Sequence, residues 1–339
     1  MIRDAISKVV NGEHLVLGEA EAVMDNIMSG RATPAQVGAL LVGLRFKGET
    51  VDEVTGFARV MRDKATPVRT KHRMIVDTCG TGGDGAHTFN ISTTAAFVVA
   101  ALGVPVAKHG NSSVSSRCGS ADVLRALGAN LELSPEQMGV CLDRVGISFL
   151  FAPRLHGAMK HAAGPRKEIG IRTVFNILGP LTNPALPQAQ VLGVYDARVA
   201  ELMAGVLAGL GVKRAFVVHG AGGLDEVSLA GPSRYWEVHN QEVISGVIDP
   251  QDLGFACADT GALAGGSPEE NAGITRRVLA GEQGPRRDAV VLNAALALVA
   301  AGFSEDIPQA VEQASEAIDS GKAAAKLDEF IAFTRSLLC

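Results

Sequence analysis

The stretch Val76–Gly85 reads VDTCGTGGDG and joins a short apolar run to a longer apolar segment. Residues Met74–Val76 are typical of a buried strand, and Ala95–Leu102 is typical of a helix. Glycines between a strand and a helix let backbone N–H groups approach an anion, which the helix N-terminus also favours. The stretch therefore predicts a phosphate-binding loop in an α/β fold, although such a turn also serves as a plain tight connection.

Side chains in and after this loop narrow the kind of ligand. No Gly-Lys-Ser/Thr sequence follows, so the loop is not a Walker A motif, and no acid-ended second strand supports a dinucleotide site. Asp84 supplies a carboxylate, and hydroxyls follow at Thr81, Thr88, Ser92, Thr93 and Thr94. Together these groups fit a phosphorylated sugar or a magnesium-bound polyphosphate.

Composition places the chain among soluble α/β enzymes. Hydrophobic residues make up 47 % of 339 residues and aromatic residues only 4 %, so the core must be Ala, Val and Leu. The net charge of −5 argues against a nucleic-acid surface. The five cysteines include no Cys-x-x-Cys pair, which argues against zinc and fits a reducing cytoplasm. We expect no signal peptide and no membrane span.

The order of predicted elements indicates two domains. Residues 1–67 read as helices, with capping boxes at Thr33–Gln36 and Thr50–Glu53. Short strands alternate with helices from about Met74, which predicts a mostly parallel central sheet flanked by helices. We expect a small all-helical domain (residues 1–67, with helices from about 165–185 as candidate additions) and a large α/β domain (68–339). Antiparallel strands are predicted at 226–229 and 234–238, around a turn at 231–233.

A second polar loop, Lys108–Asp122, again lies between a predicted strand and a predicted helix. Nearly all its side chains can form hydrogen bonds, and Lys108 and Arg117 carry positive charge. Alone, it could be a Ser-rich surface turn. Because the carboxyl ends of neighbouring parallel strands meet at one edge of a sheet, the two loops together predict one ligand site there.

Two further segments carry chemistry. Asp225 and Glu226 follow a Gly-rich turn and could offer oxygen ligands to Mg²⁺, although a solvated turn is the commoner role of such a pair. Arg166 and Arg172 lie six residues apart, and either one could face a cleft and clamp a carboxylate. The histidine spacing predicts no zinc site, and no serine or cysteine nucleophile motif is present.

These segments, taken in order, resemble the anthranilate phosphoribosyltransferase family over nearly the whole chain. The matching motifs are GTGGD at Gly80–Asp84, KHGN at Lys108–Asn111 running into the family's SGSAD (here CGSAD) at Cys118–Asp122, RTxFNxLGPLxNP at Arg172–Pro184, and the Asp225–Glu226 pair. The resemblance implies transfer of phosphoribose from phosphoribosyl pyrophosphate (PRPP) to the amine of anthranilate, in tryptophan biosynthesis. It also implies a homodimer, Mg²⁺ with two ions per subunit, and a cleft between the two domains.

The resemblance also implies roles for individual residues. It assigns no acid or base, because positioning and electrostatics should carry the reaction. Anthranilate would meet Gly80, His109, Asn111 and Arg166, and the metal would meet Ser92, Asp225 and Glu226. PRPP would meet Gly80, Gly83, Asp84, Thr88, Asn90, Ile91, Ser92, Thr93, Lys108, His109, Gly110, Asn111, Ser112, Ser113, Val114, Ser115, Ser116 and Ser120.

The chain departs from the family pattern at two places. The family's loop commonly reads KHGNR, but position 112 is Ser112, so a cation expected near the PRPP phosphates is absent. Arg117 could replace that cation only if the loop turns it inward. Gly157 follows His156 where the family often has proline, which puts the role of His156 in question.

Two other functions remain open from the sequence. A pyrimidine nucleoside phosphorylase of the same fold expects Lys-His-Ser-Thr-Gly-Gly in the first loop, and this chain lacks that lysine and histidine. Asp84 would also repel free phosphate. A non-catalytic paralogue that binds nucleic acid would need a basic face, which the acidic net charge disfavours.

Overall fold

In a computed structural model, which describes residues 1–113 and 117–337, helices at the N-terminus pack against a mixed sheet covered by further helices. The predicted fold class, a small helical domain with a large α/β domain, is confirmed. The helices are α1 Ile2–Val10, α2 Leu17–Met28, α3 Pro34–Lys47, α4 Val51–Lys64, α5 Ile91–Ala101, α6 Ser120–Leu127, α7 Pro135–Val145, α8 Ala152–Leu155, α9 Lys160–Ile169, α10 Phe175–Leu178, α11 Ala197–Gly209, α12 Pro268–Leu279, α13 Pro285–Ala300, α14 Ile307–Asp319 and α15 Lys322–Ser336.

Across the described residues, seven strands form one sheet in the order β3-β2-β1-β4-β5-β6-β7. The first five are parallel, and β6 and β7 are antiparallel additions at one edge. The strands are β1 Val76–Gly80, β2 Val106–Gly110, β3 Ile147–Phe151, β4 Ala189–Gly193, β5 Arg214–His219, β6 Ser233–His239 and β7 Glu242–Ile248.

Local sequence signals explain where several helices begin. Thr33, Thr50 and Ser134 each accept a hydrogen bond from the backbone N–H three residues later, and a Glu or Gln at that position bonds back. These capping boxes satisfy backbone donors that no helical carbonyl can reach. Helices α3, α4 and α7 therefore start at the residue after each cap.

Alternate residues of the strands face two different cores. Val191 and Phe216 pack under α5 and α13, whereas Leu192 and Val217 face α11 and the N-terminal helices. The second core is continuous from α2 and α4 through α10 and α11 to the sheet. Helix α9 packs on α2 and α3, although it follows β3 in the chain.

The predicted hairpin around residues 231–233 is wrong in its first strand. Residues 226–229 form no strand, because Asn293 on α13 bonds both the N–H and the carbonyl of Val227 (2.9 and 3.2 Å). The observed hairpin is β6–β7, and Asn240 and Gln241 form its turn, with φ of 50° and 73°. Two consecutive left-handed residues give the turn whose twist matches a hairpin.

Candidate active site

The carboxyl ends of β1, β2 and β5 open into a cleft of about 760 Å³. Asp84, Lys108 and Glu226 all line this cleft, so the three segments identified in the sequence share one cavity. Every site residue predicted from the sequence that the structure describes lines it as well, and Val114, Ser115 and Ser116 lie outside the described residues. The predicted convergence of the loops on one site is therefore what the fold produces.

The first loop follows β1, and residues far along the chain hold its shape. Gly82 and Gly83 have φ of 65° and 79°, a left-handed conformation that glycine adopts without strain. The Gly82 N–H donates to Asp225 Oδ2 (2.8 Å). A Cβ at Gly80 would contact the same carboxylate, so the chain can approach Asp225 this closely only with glycine.

Asp225 and Glu226 point into the cleft from the segment after β5. Glu226 Oε1 accepts the backbone N–H of Ser92 at the start of α5 (3.0 Å). Burial, together with the charge of the nearby Asp84, raises the pKa of Asp225 to about 7. Burial raises the pKa of Glu226 to about 8, with Asp225 as the next cause. Each carboxylate therefore has too little positive charge nearby to offset the effect of its burial.

The donors present suit a magnesium ion held jointly with a ligand. In the part of the chain that the structure describes, no three His, Cys, Asp or Glu side chains cluster closely enough to hold a metal. Mg²⁺ commonly binds one or two carboxylates and takes its other oxygens from water and substrate phosphates. Asp225, Glu226 and the Ser92 hydroxyl fit that pattern, and a cation would offset the buried negative charge.

Lys108 reaches across the cleft floor from β2. Its Nζ donates to the carbonyl of Thr78 on β1 and lies 3.4 Å from Ser92 Oγ. The side chain is buried, and burial lowers the pKa of Lys108, an effect that Asp77, Glu226 and Asp225 oppose. This ammonium group is therefore placed between the two loops.

The far wall of the cleft carries Arg166, from α9, and His109. The Arg166 guanidinium lies 5.0 Å from the ring centroid of Phe175, and burial lowers its pKa. His109 Nε2 is 3.1 Å from His156 Nε2. Burial lowers the pKa of His109 to about 3 and that of His156 to about 4, so both rings are neutral at pH 7.

Comparison with known proteins places the chain in a family. Residues 3–65 match the helical bundle domain of the glycosyl transferase family, and residues 72–324 match its a/b domain. An anthranilate phosphoribosyltransferase from Desulforudis audaxviator is 67 % identical over 98 % of this chain and 96 % of its own length. The chain belongs to the anthranilate phosphoribosyltransferase family.

Solved structures of anthranilate phosphoribosyltransferases share the whole fold. The enzyme from Thermus thermophilus superposes with a TM-score of 0.93 at 46 % identity, over 98 % of this chain and 99 % of that one. The enzyme from Saccharomyces cerevisiae, solved in complex with PRPP and Mg, gives a TM-score of 0.90 at 28 % identity, over 99 % and 98 %. The family resemblance seen in the sequence is confirmed.

The structure shows what surrounds Ser112, the residue at which the chain departs from the family's KHGNR loop. Arg125 on α6 donates from Nη1 to Ser112 Oγ (3.1 Å), and its guanidinium lies 4.7 Å from the Phe151 ring centroid. Arg125 does not line the cleft, and Arg117 is exposed and does not line it either. Neither arginine replaces the missing cation inside the cleft.

For two residues near the site, the sequence did not predict the contacts that the structure shows. Arg172 donates from Nη2 to the Gly83 carbonyl (2.7 Å) and lies 4.2 Å from the Tyr195 ring centroid, so it braces the first loop. His156 caps the end of α8 and touches His109 despite the following Gly157. The sequence marked Arg172 as a candidate carboxylate clamp but not as a brace for the first loop, and no spacing rule links His156 to His109.

Proposed function

We propose that this chain transfers the 5-phosphoribosyl group of PRPP to the amine of anthranilate, giving N-(5-phosphoribosyl)anthranilate and pyrophosphate. The observation that carries the proposal is a single cleft with an acidic, glycine-lined end and a cationic far wall, in a chain of this family. The reaction belongs to tryptophan biosynthesis.

The acidic end would take PRPP. Backbone and hydroxyl groups of the first loop, and Lys108 with the second loop, would hold the phosphates and the ribose. Mg²⁺ would be held by Ser92, Asp225 and Glu226, with two ions per subunit as part of the proposal. When bound, the cation would neutralise negative charge that develops on the pyrophosphate leaving group.

The far wall would take anthranilate. Arg166 would pair with its carboxylate, and His109, Asn111 and Gly80 would line the ring and amine. The neutral His109 imidazole can accept or donate one hydrogen bond without adding charge near the reacting amine. An aromatic amine is already neutral at pH 7, so positioning serves the reaction better than a strong base.

A partly buried arginine at the far wall gives a direct test of this assignment. Replacing Arg166 with alanine should raise the Michaelis constant for anthranilate at least about tenfold and change that for PRPP little, because only one substrate loses a charged partner. Steady-state kinetics with each substrate varied in turn measures both constants. Equal rises in the two constants would argue that Arg166 has another role.

The exposed apolar side chains of the N-terminal helices support a homodimer. Val10 on α1 and Val42 and Phe46 on α3 are 68 %, 45 % and 94 % exposed, which is unusual for large apolar groups on helices that pack together.

No helix in the described ranges is long and apolar enough to cross a membrane. We place the enzyme in the cytoplasm, with residues 1–67 as the helical domain and 68–339 as the α/β domain.

The other functions considered from the sequence find no support in the cleft. Asp84 lies in it with Asp225 and Glu226, where free phosphate for a nucleoside phosphorylase would be repelled. A nucleic-acid paralogue would bind DNA with steep salt dependence and consume no PRPP. The acidic cleft instead suits a ligand that arrives with its own cations.

One assay tests the proposed reaction. The protein is mixed with PRPP, MgCl₂ and anthranilate, and the loss of anthranilate fluorescence is followed. We expect turnover that requires all three components and falls when EDTA is added. Fluorescence that stays constant with folded protein would contradict the proposal. Glu226→Gln, which replaces one proposed metal ligand, is the matched control for the dependence on Mg²⁺.

A further inference from the structure

Strands β1 and β2 separate where the two loops of the cleft begin. They are paired only at Val76 and Val106, whereas β1 pairs with β4, and β2 with β3, at five positions each. The sheet therefore lacks backbone pairing between β1 and β2 at its carboxyl edge, where β2 carries Lys108 and His109.

Two buried polar side chains fill this gap. Asp77 accepts the backbone N–H of His109 on Oδ1 (3.1 Å) and the side-chain amide of Asn183 on Oδ2 (2.9 Å). The same Asn183 amide donates to the carbonyl of Ala107 (2.8 Å). Side chains thus satisfy backbone groups of β2 that a regular parallel ladder would pair with the backbone of β1. Asp77 is fully buried and Asn183 is 1 % exposed.

This arrangement is a costly way to join two strands. A carboxylate removed from water lowers stability unless hydrogen bonds and a cation compensate it. Burial raises the pKa of Asp77 to about 6, and Lys108 opposes that rise. Plain backbone pairing would avoid this cost. The gap also gives Lys108 its place, because the Thr78 carbonyl accepts Lys108 Nζ rather than a backbone group of β2.

We infer that Asp77 and Asn183 are positioning residues that set the width of this gap and thereby place Lys108 and His109 in the cleft. Neither residue lines the cleft, so both act through their neighbours. Asn183 also fixes its own segment by accepting the N–H of Ala185 (2.9 Å). The inference rests on the proposed function, because its readout is the handling of PRPP and anthranilate.

An exchange of the two side chains gives the sharpest test. In Asp77→Asn, one amide group must face a donor, either Asn183 or the His109 N–H, so one bond of the bridge is lost. The double variant Asp77→Asn/Asn183→Asp restores a donor opposite an acceptor, but it leaves the Ala107 carbonyl without a donor. We expect Asp77→Asn to raise the Michaelis constants for both substrates at least about fivefold. We expect the double variant to recover at least about half of that rise.

Kinetics at a temperature well below each variant's melting point separates positioning from simple loss of stability. Thr334→Val is the matched control, because Thr334 carries a buried hydroxyl on α15 that accepts the N–H of Asn130, and neither residue lines the cleft. It should lower the melting temperature and leave both Michaelis constants unchanged. Unchanged constants in Asp77→Asn, or a double variant that recovers none of the rise, would overturn the inference.

The parent enzyme is measured in the same experiment, so the two proposals fail in different ways. A parent that does not consume anthranilate contradicts the proposed function. An active parent with unchanged Michaelis constants in Asp77→Asn contradicts only the positioning role. Calorimetric titration of each variant with PRPP and MgCl₂ adds a readout without anthranilate, and a dissociation constant that follows the same order supports the inference.

Discussion

The two loops that follow β1 and β2 are both rich in glycine or serine, but different parts of the chain hold them. In the first loop, the N–H groups of Gly82 and Ser92 donate to Asp225 and Glu226, more than 130 residues away. In the second loop, the N–H groups of Ser113 and Gly119 both donate to Asp122 of the adjoining helix (2.8 and 2.9 Å). The first loop is organised by tertiary contacts and the second by local ones.

This difference shows how one site can combine two kinds of loop. The carboxylates that shape the first loop are also the candidate metal ligands, so loop shape and cation binding are linked there. Burial acts to raise the pKa of Asp122, but the N–H groups of Ser113 and Gly119 together outweigh it, so the pKa of this carboxyl is lowered. That carboxylate is already compensated, and we expect it to have only a structural role.

The largest effect should come from breaking the tertiary contact of the first loop. A Cβ at Gly193 on β4 would overlap the backbone carbonyl of Asp225, so Gly193→Ala must displace the 225–226 segment. We expect a loss of about 1–3 kcal/mol in stability and a fall in kcat of about 100-fold, because small displacements of site residues are costly. Urea unfolding and the fluorescence assay measure the two effects.

Gly18→Ala is the control for this substitution, because nothing beyond its chain neighbours lies within 4 Å of a Cβ there. Its position in the first turn of α2 should make the alanine neutral or slightly stabilising, by up to about 1 kcal/mol. Comparable activity in the two variants would show that the close approach of β4 to Asp225 does not govern the site.

The next effect concerns pH and the carboxylates of the first loop. Raised folded-state pKa values mean that the neutral carboxyls stabilise the metal-free protein at low pH. That contribution is lost as the pH rises through about 7 to 8. Between about pH 6 and pH 9 in EDTA, the parent should therefore lose about 5 °C more in melting temperature than Asp225→Asn/Glu226→Gln. Melting temperatures that change equally with pH in the two proteins would contradict this link between the two carboxylates and stability.

A smaller effect is expected when the local bridge of the second loop is weakened. The N–H groups of Ser113 and Gly119 both donate to Asp122 Oδ2, so Asp122→Asn can keep these two bonds but removes the negative charge that strengthens them. We expect a loss of about 1 kcal/mol in stability and a rise of a few-fold in the Michaelis constant for PRPP. Thermal unfolding and PRPP kinetics measure the two effects. A loss of stability as large as that of Gly193→Ala would remove the distinction between the loops.

The smallest effect should follow from restoring the family's arginine in the second loop. Ser112 lines the cleft, and an arginine there would add a cation near the PRPP phosphates. Ser112→Arg should lower the Michaelis constant for PRPP a few-fold, because charge-assisted hydrogen bonds contribute about 1.5–3 kcal/mol before side-chain ordering is deducted. A constant that does not fall would refute the view that Ser112 weakens PRPP binding.

Local signals in the sequence predicted much of the fold. The capping boxes at Thr33 and Thr50 located two helix starts, and the apolar runs located five parallel strands. Strands β1 and β2 run to Gly80 and Gly110, three and two residues beyond the ends at Asp77 and Lys108 that the apolar runs predict. Pairing with β4 and β3 continues through those polar residues, and hydropathy alone does not show such pairing.

The site was predictable as a set of motifs but not as a set of contacts. The glycines and hydroxyls of the first loop and the Asp225–Glu226 pair carry their chemistry in the sequence, and they line one cleft except for Thr94, whose buried hydroxyl bonds Asn90 and Thr275 instead. The partners of these groups depend on tertiary packing, as the Gly82–Asp225 bond and the His109–His156 pair show. The erroneous strand at 226–229 has the same origin, because Asn293 competes for its backbone groups.

The core that runs from the N-terminal helices to the sheet bears on how the protein unfolds. Helix α4 lies so close to α11 that a Cβ at Gly205 would press on Val51 (2.9 Å), and α9 rests on the N-terminal bundle. Excising the first 65 residues would strip α9, α11 and one sheet face of their apolar cover. Heat or denaturant should therefore melt helices and sheet in one cooperative transition, and neither half should be obtainable as a separate, monodisperse fragment.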